Sequence, residues 1–389
     1  MQRAIRTFLC AACAALLLAS PAFACSIFMV TDGDSVFYGN NEDWRDPHGK
    51  IRYVPASEGR YGVIYFSHSN LAPQGGMNDQ GLVFDYAATD RNPVRGSADK
   101  PSYEGNLMGK IMGECATVEE ALAVHDRYNL AFMEKHQTLI SDATGDSAII
   151  EGDKILRKKG SFQVTTNFYR SDTPEEQISC GRYKTADAML GAMESPTVES
   201  VRDVLAAVHQ EGTYSTQYSN VYDLKNRTIY LYHFHNFTNV VKIDLEAELE
   251  KGARTVDLPS LFPSTFAAEV FAERQTRKDL AQLEKKADKW FPAAADLNAY
   301  AWALLTCKPV HFRNPPKALE LAKKAVKESD GEDATILDTL GLAYFRTGDT
   351  AKAIETQRKA VALLPPGETR TRVALESRLA EFEGAVEGR

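Results

Sequence analysis

The chain has 389 residues, 44% of them apolar and 25% charged, with a formal net charge of −8. That is the composition of a globular protein long enough for two domains. The acidic balance excludes a nucleic-acid binder that works by bulk electrostatics.

Residues 1–24 read as a signal peptide. Arg3 and Arg6 precede an apolar run from Phe8 to Ala19, and Pro21-Ala22-Phe23-Ala24 has the small-x-small form of a cleavage site. The run is too short to span a bilayer, so no membrane span is expected. A lipoprotein signal would carry a small residue where bulky Phe23 stands. Cleavage between Ala24 and Cys25 would place the protein in the periplasm or outside the cell, with Cys25 as its first residue.

Beyond the cut, Ser26–Thr31 and Ser35–Gly39 read as strands around an Asp32-Gly33-Asp34 turn. Val63–Phe66 and Leu82–Tyr86 read as further strands. Thr117-Val118-Glu119-Glu120 is a capping box that opens a helix to about Arg127. Strand patterns follow at Ile140, Ala148–Glu151, Phe162–Thr166, Val221–Leu224 and Arg227–His233, with a helix at Thr197–Val208. This order implies antiparallel sheets with helices on their outer faces. The texture changes at Asp257-Leu258-Pro259. A charged helical stretch occupies 258–290, and residues 291–389 form a separate helical domain.

Within that last part, Trp302, Leu305, Ala318 and Ala325 recur 35 residues later as Leu337, Leu340, Ala353 and Ala360. Gly341, Tyr344, Ala353, Ala360 and Pro365 stand at the spacing of a tetratricopeptide repeat, which the second unit resembles. Gln357 falls where such repeats prefer an aromatic residue. Arg370–Val386 would be the capping helix. Repeats of this kind imply a protein partner or self-association through the helical domain.

Four cysteines remain after the cut: Cys25, Cys115, Cys180 and Cys307. They lack the paired spacing of a zinc site, and sequence leaves open whether Cys115 and Cys180 pair. His233 and His235 alternate along a strand and would share a face. No metal is assigned to them, because Cys25 as residue one carries its own base. The free α-amine, with a pKa of about 8, takes the thiol proton and returns it to a leaving amine.

The run CSIFMVTDGDSVFYGNNEDW resembles the start of mature choloylglycine hydrolases and penicillin V acylases, and of related linear amide hydrolases of the N-terminal-nucleophile group. In that group a Gly-Arg-Asn-x-Asp-Trp-like motif follows the first hairpin. The resemblance makes Asp43 the catalytic aspartate and matches Asn41 to the motif's asparagine. The motif's arginine falls on Asn40, which leaves open what supports the nucleophile. GGMNDQGLVFDYA resembles the strand leading to the first oxyanion donor, a role left to a backbone N–H or to Tyr86. VTTNFYRSDTP puts Asn167 on the second oxyanion donor. SCGRYKTA puts Arg182 on the arginine of a Ser-x-x-Arg helix.

The resemblance implies an α+β fold, an αββα sandwich over 25–257, ahead of the all-α domain. It implies cleavage of a linear non-peptide amide, an N-acyl compound, through a Cys25 acyl-enzyme without a cofactor. Two alternatives stay open. One is an acyltransferase that hands the acyl group to an amine. The other is an inactive fold that presents its helical repeats to partners.

Overall fold

The computed structural model describes residues 25–91, 94, 97–364 and 370–387. Residues 1–24, read from the sequence as a signal peptide, and Pro365 lie outside the described residues. The chain divides into two compact units after Thr265.

The first unit begins with β1 (Ser26–Thr31) and β2 (Val36–Trp44). The turn between them is built by Asp32, whose Oδ1 accepts from Asp34 N and Ser35 N at 3.0 and 2.7 Å. Gly33 takes a φ of +95° there, a value an L side chain resists. The hairpin register pairs Ser26 with Asn41 and Thr31 with Val36.

Two antiparallel sheets follow. The larger contains β3 (Lys50–Val54), β4 (Val63–Ser67), β5 (Pro73–Asn78), β6 (Val83–Ala88), β7 (His136–Ser141), β8 (Ser147–Glu151), β9 (Lys154–Arg157) and β14 (Arg254–Asp257). Its order is β14-β3-β4-β5-β6-β7-β8-β9. The smaller adds β10 (Phe162–Thr165), β11 (Ser215–Asp223), β12 (Thr228–His233) and β13 (Asn236–Asp244) to the first hairpin, in the order β10-β1-β2-β11-β12-β13.

Side chains alternate across each sheet, and three buried clusters result. Ile27, Met29, Val36 and Tyr38 of the smaller sheet meet Ile51, Ile64, Phe66 and Met77 of the larger. Phe84, Ile140 and Ile150 face the other way, onto α1 (Leu107–Glu114) and α2 (Val118–His125). Phe28, Val30 and Val221 face α3 (Gly181–Gly191) and α4 (Val198–Ala207). The layers therefore run helix, sheet, sheet, helix. The Thr117–Glu120 capping box forms as the sequence predicts.

Several boundaries differ from the sequence reading. β2 continues past Gly39 to Trp44, and β11 begins at Ser215 rather than Val221. Both extensions are polar, and burial beside a neighbouring strand overrides their weak local propensity. His233 and His235 do not share a face. β12 ends at His233, and Phe234 and His235 form a tight turn with φ of 48° and 45°. His233 stacks on Phe262 at 5.5 Å, whereas His235 lies 5.2 Å from the His209 ring. Cys115 packs in one helix layer and Cys180 in the other, and both are free thiols.

The second unit is all helix: α5 (Leu245–Glu250) still belongs to the first, and α6 (Phe266–Ala287), α7 (Ala294–Thr306), α8 (Pro315–Glu328), α9 (Ala334–Arg346), α10 (Thr350–Ala362) and α11 (Arg370–Glu387) follow. Consecutive helices pack on one another. The recurring alanines Ala318, Ala325, Ala353 and Ala360 are fully buried, which lets helix backbones approach. Gln357 is buried too. Its Nε2 donates to Asp338 Oδ1 at 2.6 Å and to Leu375 O at 3.1 Å, and Arg378 pairs with Asp338. A polar seam thus ties α9, α10 and α11 where an aromatic contact is the rule. Gly341 makes room for it, since a β-carbon there would stand 2.7 Å from Gln357 Oε1.

Asp338→Ala leaves the Gln357 amide and Arg378 without their common acceptor. It is expected to destabilise the helical unit by about 1–3 kcal/mol, read as a lower midpoint in urea. An unchanged midpoint would show that the seam contributes nothing net.

Candidate active site

Cys25 stands at the entrance to β1 and is 6% exposed. Alternation gives this end of the sheet two chemically distinct faces. Cys25, Asn40 and Glu42 point between the sheets, whereas Ser26, Asn41 and Asp43 point toward the α3–α4 layer. A bulge in β11 between Thr216 and Tyr218 lies opposite Asp43 and Glu42. It re-aims the strand ends at the site, as bulges commonly do.

Arg182, on the first turn of α3, gathers the outer face. Its Nη1 donates to the Cys25 main-chain oxygen at 2.7 Å and to Ser26 Oγ at 2.8 Å. Its Nη2 donates to Asn167 Oδ1 at 3.0 Å. Asp43 Oδ2 lies 3.8 Å from Nη1. Asn167 in turn donates from Nδ2 to Ala88 O at 2.8 Å, leaving its second amide hydrogen for another acceptor. Asp43 accepts from the Thr216 hydroxyl and, at 3.3 Å, from Gln210 Nε2. Four residues singled out by sequence, Cys25, Asp43, Asn167 and Arg182, are therefore one connected cluster.

The inner face brings in residues that sequence reasoning missed. Glu42 Oε2 lies 4.0 Å from Cys25 Sγ. Its Oε1 lies 3.2 Å from His68 Nε2, and His68 stacks on Trp44 at 4.9 Å. Glu42 occupies the variable position of the Asn-x-Asp-Trp stretch, and His68 follows β4 outside any motif. Only its burial, at 3% exposure, marks Glu42 as more than a surface acid.

Electrostatics at this end are dominated by desolvation. Burial pushes the Cys25 thiol well above its ordinary value, and the Glu42 and Asp43 carboxylates push the same way. A main-chain hydrogen bond from Asp43 and the Arg182 charge oppose them. Burial also raises Asp43 well above the usual carboxylate range, against the Thr216 hydrogen bond and Arg182.

Three further positions expected at the site fall elsewhere or do different work. Asn40 donates to Asp85 Oδ1 at 3.0 Å, so the place of an arginine holds a neutral amide paired with an acid. Gly75 makes space for that acid, since a β-carbon would stand 1.6 Å from its Oδ1. Asn41 points outward, donating to Leu205 O at 2.9 Å and accepting from Ser219 Oγ at 2.6 Å. Tyr86 is on the outer face of the larger sheet, packed on Phe84, and lines a cavity of about 440 Å³ with Tyr103 and Phe132. Neither Asn41 nor Tyr86 faces the thiol.

The family model for acyl-coenzyme A:6-aminopenicillanic acid acyl-transferase matches residues 30–245, more than half the chain. The chain belongs to this family. Solved structures similar to it include penicillin V acylase from Agrobacterium tumefaciens, with 20% identity, TM-score 0.48, and coverage of 60% of this chain and 91% of that one. Two variants of conjugated bile acid hydrolase from Clostridium perfringens each show 14% identity and a TM-score of 0.46. They cover 60% and 62% of this chain and 95% and 97% of their own. No curated protein matches the sequence. The family match spans β2 through β13 and stops short of the helical unit.

Asp85 offers a test of the buried acids. Burial, and then Glu42, raise its carboxyl well above the ordinary value. Above about pH 4 the unfolded chain loses this proton while the folded chain keeps it, so stability falls as pH rises toward the folded value. Asp85→Asn preserves the bond from Asn40 and removes the titration. The variant is expected to gain on the parent with rising pH, by up to about 1.4 kcal/mol per pH unit within that window. Urea unfolding from pH 4 to 8 measures it, and parallel curves would refute the assignment.

Proposed function

We propose that the protein is an exported N-terminal-cysteine amidohydrolase that cleaves a linear N-acyl amide through a Cys25 acyl-enzyme. The observation that carries this reading is the Arg182 fork, which joins Cys25, Asn167 and Asp43 in one cluster. Such a convergence counts against an inactive fold kept for its helical repeats. The domain organisation proposed with it is a leader over 1–24, a hydrolase domain from Cys25, and a helical domain that offers a surface to a protein partner or a second copy.

In the proposed reaction the α-amine of mature Cys25 takes the thiol proton as Sγ attacks the amide carbonyl. A C–S bond forms, and the carbonyl oxygen takes the negative charge. Asn167 and a backbone N–H stabilise that charge. The ammonium gives its proton to the departing nitrogen as the C–N bond breaks. Water then attacks the thioester, losing a proton to the amine, and the thiol is restored as the acid leaves. A base attached to the nucleophile suits a thiol whose burial and acidic neighbours oppose free ionisation. Glu42 and Asp43 flank Cys25 and would hold the transient ammonium. Arg182 fixes the main chain of the nucleophile.

The name of the matching family favours a second reading on the same acyl-enzyme. An amine in place of water would make the protein an acyltransferase. Product analysis with N-acyl amides, in the presence and absence of a second amine, separates the two.

Activity should require the free α-amine of Cys25. Protein that retains Ala24, or whose Cys25 amine is acylated, should keep its thiol and lose turnover, and Cys25→Ala should form no acyl-enzyme. Mass spectrometry of the N-terminus, alongside amine release from a panel of N-acyl amides, checks this. Equal turnover by the blocked form would defeat the mechanism.

Asn167→Ala is expected to lower kcat by about 10²–10³-fold, the usual cost of one oxyanion donor, with KM changed much less. Steady-state kinetics on any substrate found in that panel decides it. A change confined to KM would make Asn167 a binding residue.

A further inference from the structure

Behind Asp43, the segment that supplies Gln210 and Thr216 carries two side chains the reaction does not use. They are His209 and Glu211, and they face His235 at the tip of the β12–β13 hairpin. One ligand atom from each lies within 4.8 Å of the others.

One hydrogen bond fixes the tautomer of His209. His209 Nδ1 lies 2.6 Å from Ala206 O. A carbonyl only accepts, so Nδ1 carries the hydrogen, and in the neutral ring Nε2 presents a lone pair. That Nε2 lies 3.4 Å from Glu211 Oε1. A ring lone pair and a carboxylate oxygen thus converge on one point, where a cation can be held. A second proton would satisfy this pair alone, but the His235 ring, 5.2 Å from that of His209, brings a third ligand to the same point.

The backbone that delivers His235 is strained. Phe234 and His235 adopt left-handed conformations at successive positions, in a two-residue turn where Asn-Gly is the common choice. Phe234 N is pinned to Gln217 O at 2.9 Å. Non-glycine residues keep such conformations only where the surrounding structure holds them.

We propose that His209, Glu211 and His235 form a binding site for one divalent transition-metal ion, best matched by Zn²⁺. Two imidazoles and one carboxylate suit zinc or its first-row neighbours, whereas calcium and magnesium take oxygen ligands. The Ala206 carbonyl fixes the His209 tautomer, as outer-shell partners of metal-bound histidines do. Glu211 has 73% of its side chain exposed and is free to swing onto the ion, and water completes the coordination. The ion would not join the chemistry at Cys25. It would clamp the segment whose Gln210, between the two ligands, donates to Asp43.

The test uses the mature full-length protein without a histidine tag. Co²⁺ is titrated as the spectroscopic probe, and Zn²⁺ is then used to displace it. One equivalent of Co²⁺ should bind with visible ligand-field bands, and Zn²⁺ should abolish them. His235→Ala should lose this equivalent. Glu211→Gln, an exposed change that keeps the fold, should weaken it by at least about tenfold, and this variant decides if His235→Ala does not fold. The proposal is overturned if there is no saturable single equivalent, if affinity is unchanged in Glu211→Gln, or if a sulfur-to-cobalt charge-transfer band moves the ion to a cysteine. Because none of these readouts is turnover, failure here is distinguishable from failure of the proposed reaction.

Discussion

The register of β1 on β2 is the constraint on which the rest depends. Pairing Ser26 with Asn41 sets Cys25 beside Glu42 and Asp43 and sends alternate side chains to opposite layers. A slip of one residue would turn every one of them over. Ile27, Met29 and Tyr38 would leave the space between the sheets, and Phe28 and Val30 would leave the helix layer. The apolar residues on both faces therefore enforce the register, and the polar residues at the strand ends inherit their positions from it. The site is placed by packing that has no chemistry of its own.

That inheritance has an electrostatic cost. Glu42, Asp43 and Asp85 are all buried, and Arg182 approaches only Asp43 among them. Desolvation of acids beside a buried thiol opposes folding and thiolate formation alike. Hydrogen bonds from Asn40, Thr216 and Gln210 offset part of it. Concentrating such groups at one end of a sandwich is expected where function, not stability, selects the residues. The Gln357–Asp338–Arg378 seam of the helical unit follows a different logic. There one acid is matched by an amide and a guanidinium, and the result orders three helices.

Local signals in the sequence located the regular parts of both units. The capping box at Thr117, the helical pattern from Thr197, the turn at Asp32-Gly33, and the recurrence from Leu305 to Leu340 depend on near neighbours, so short windows carry them. The polar halves of β2 and β11 were shortened for the same reason. Nothing within Asn40–Glu42 or Ser215–Gln217 announces a buried strand until both sheets cover it. The alternation of His233 and His235 misled because the strand ends between them, a fact decided by pairing with β13.

At the site, sequence by itself singled out Cys25, Asp43, Asn167 and Arg182, because each sits in a local run that resembles a family motif, and the runs follow in the family's order. It also determined the helical character of the last third of the chain through a repeated spacing. Only the tertiary structure decided which way Asn41 and Tyr86 point, since direction depends on which sheet face each strand buries. Only it brought Glu42 to the thiol and His68 to Glu42, and His209 and Glu211 to His235. Those groups come from separate strands and loops, and the free energy that unites them is burial of apolar surface elsewhere, which leaves no mark on the residues themselves.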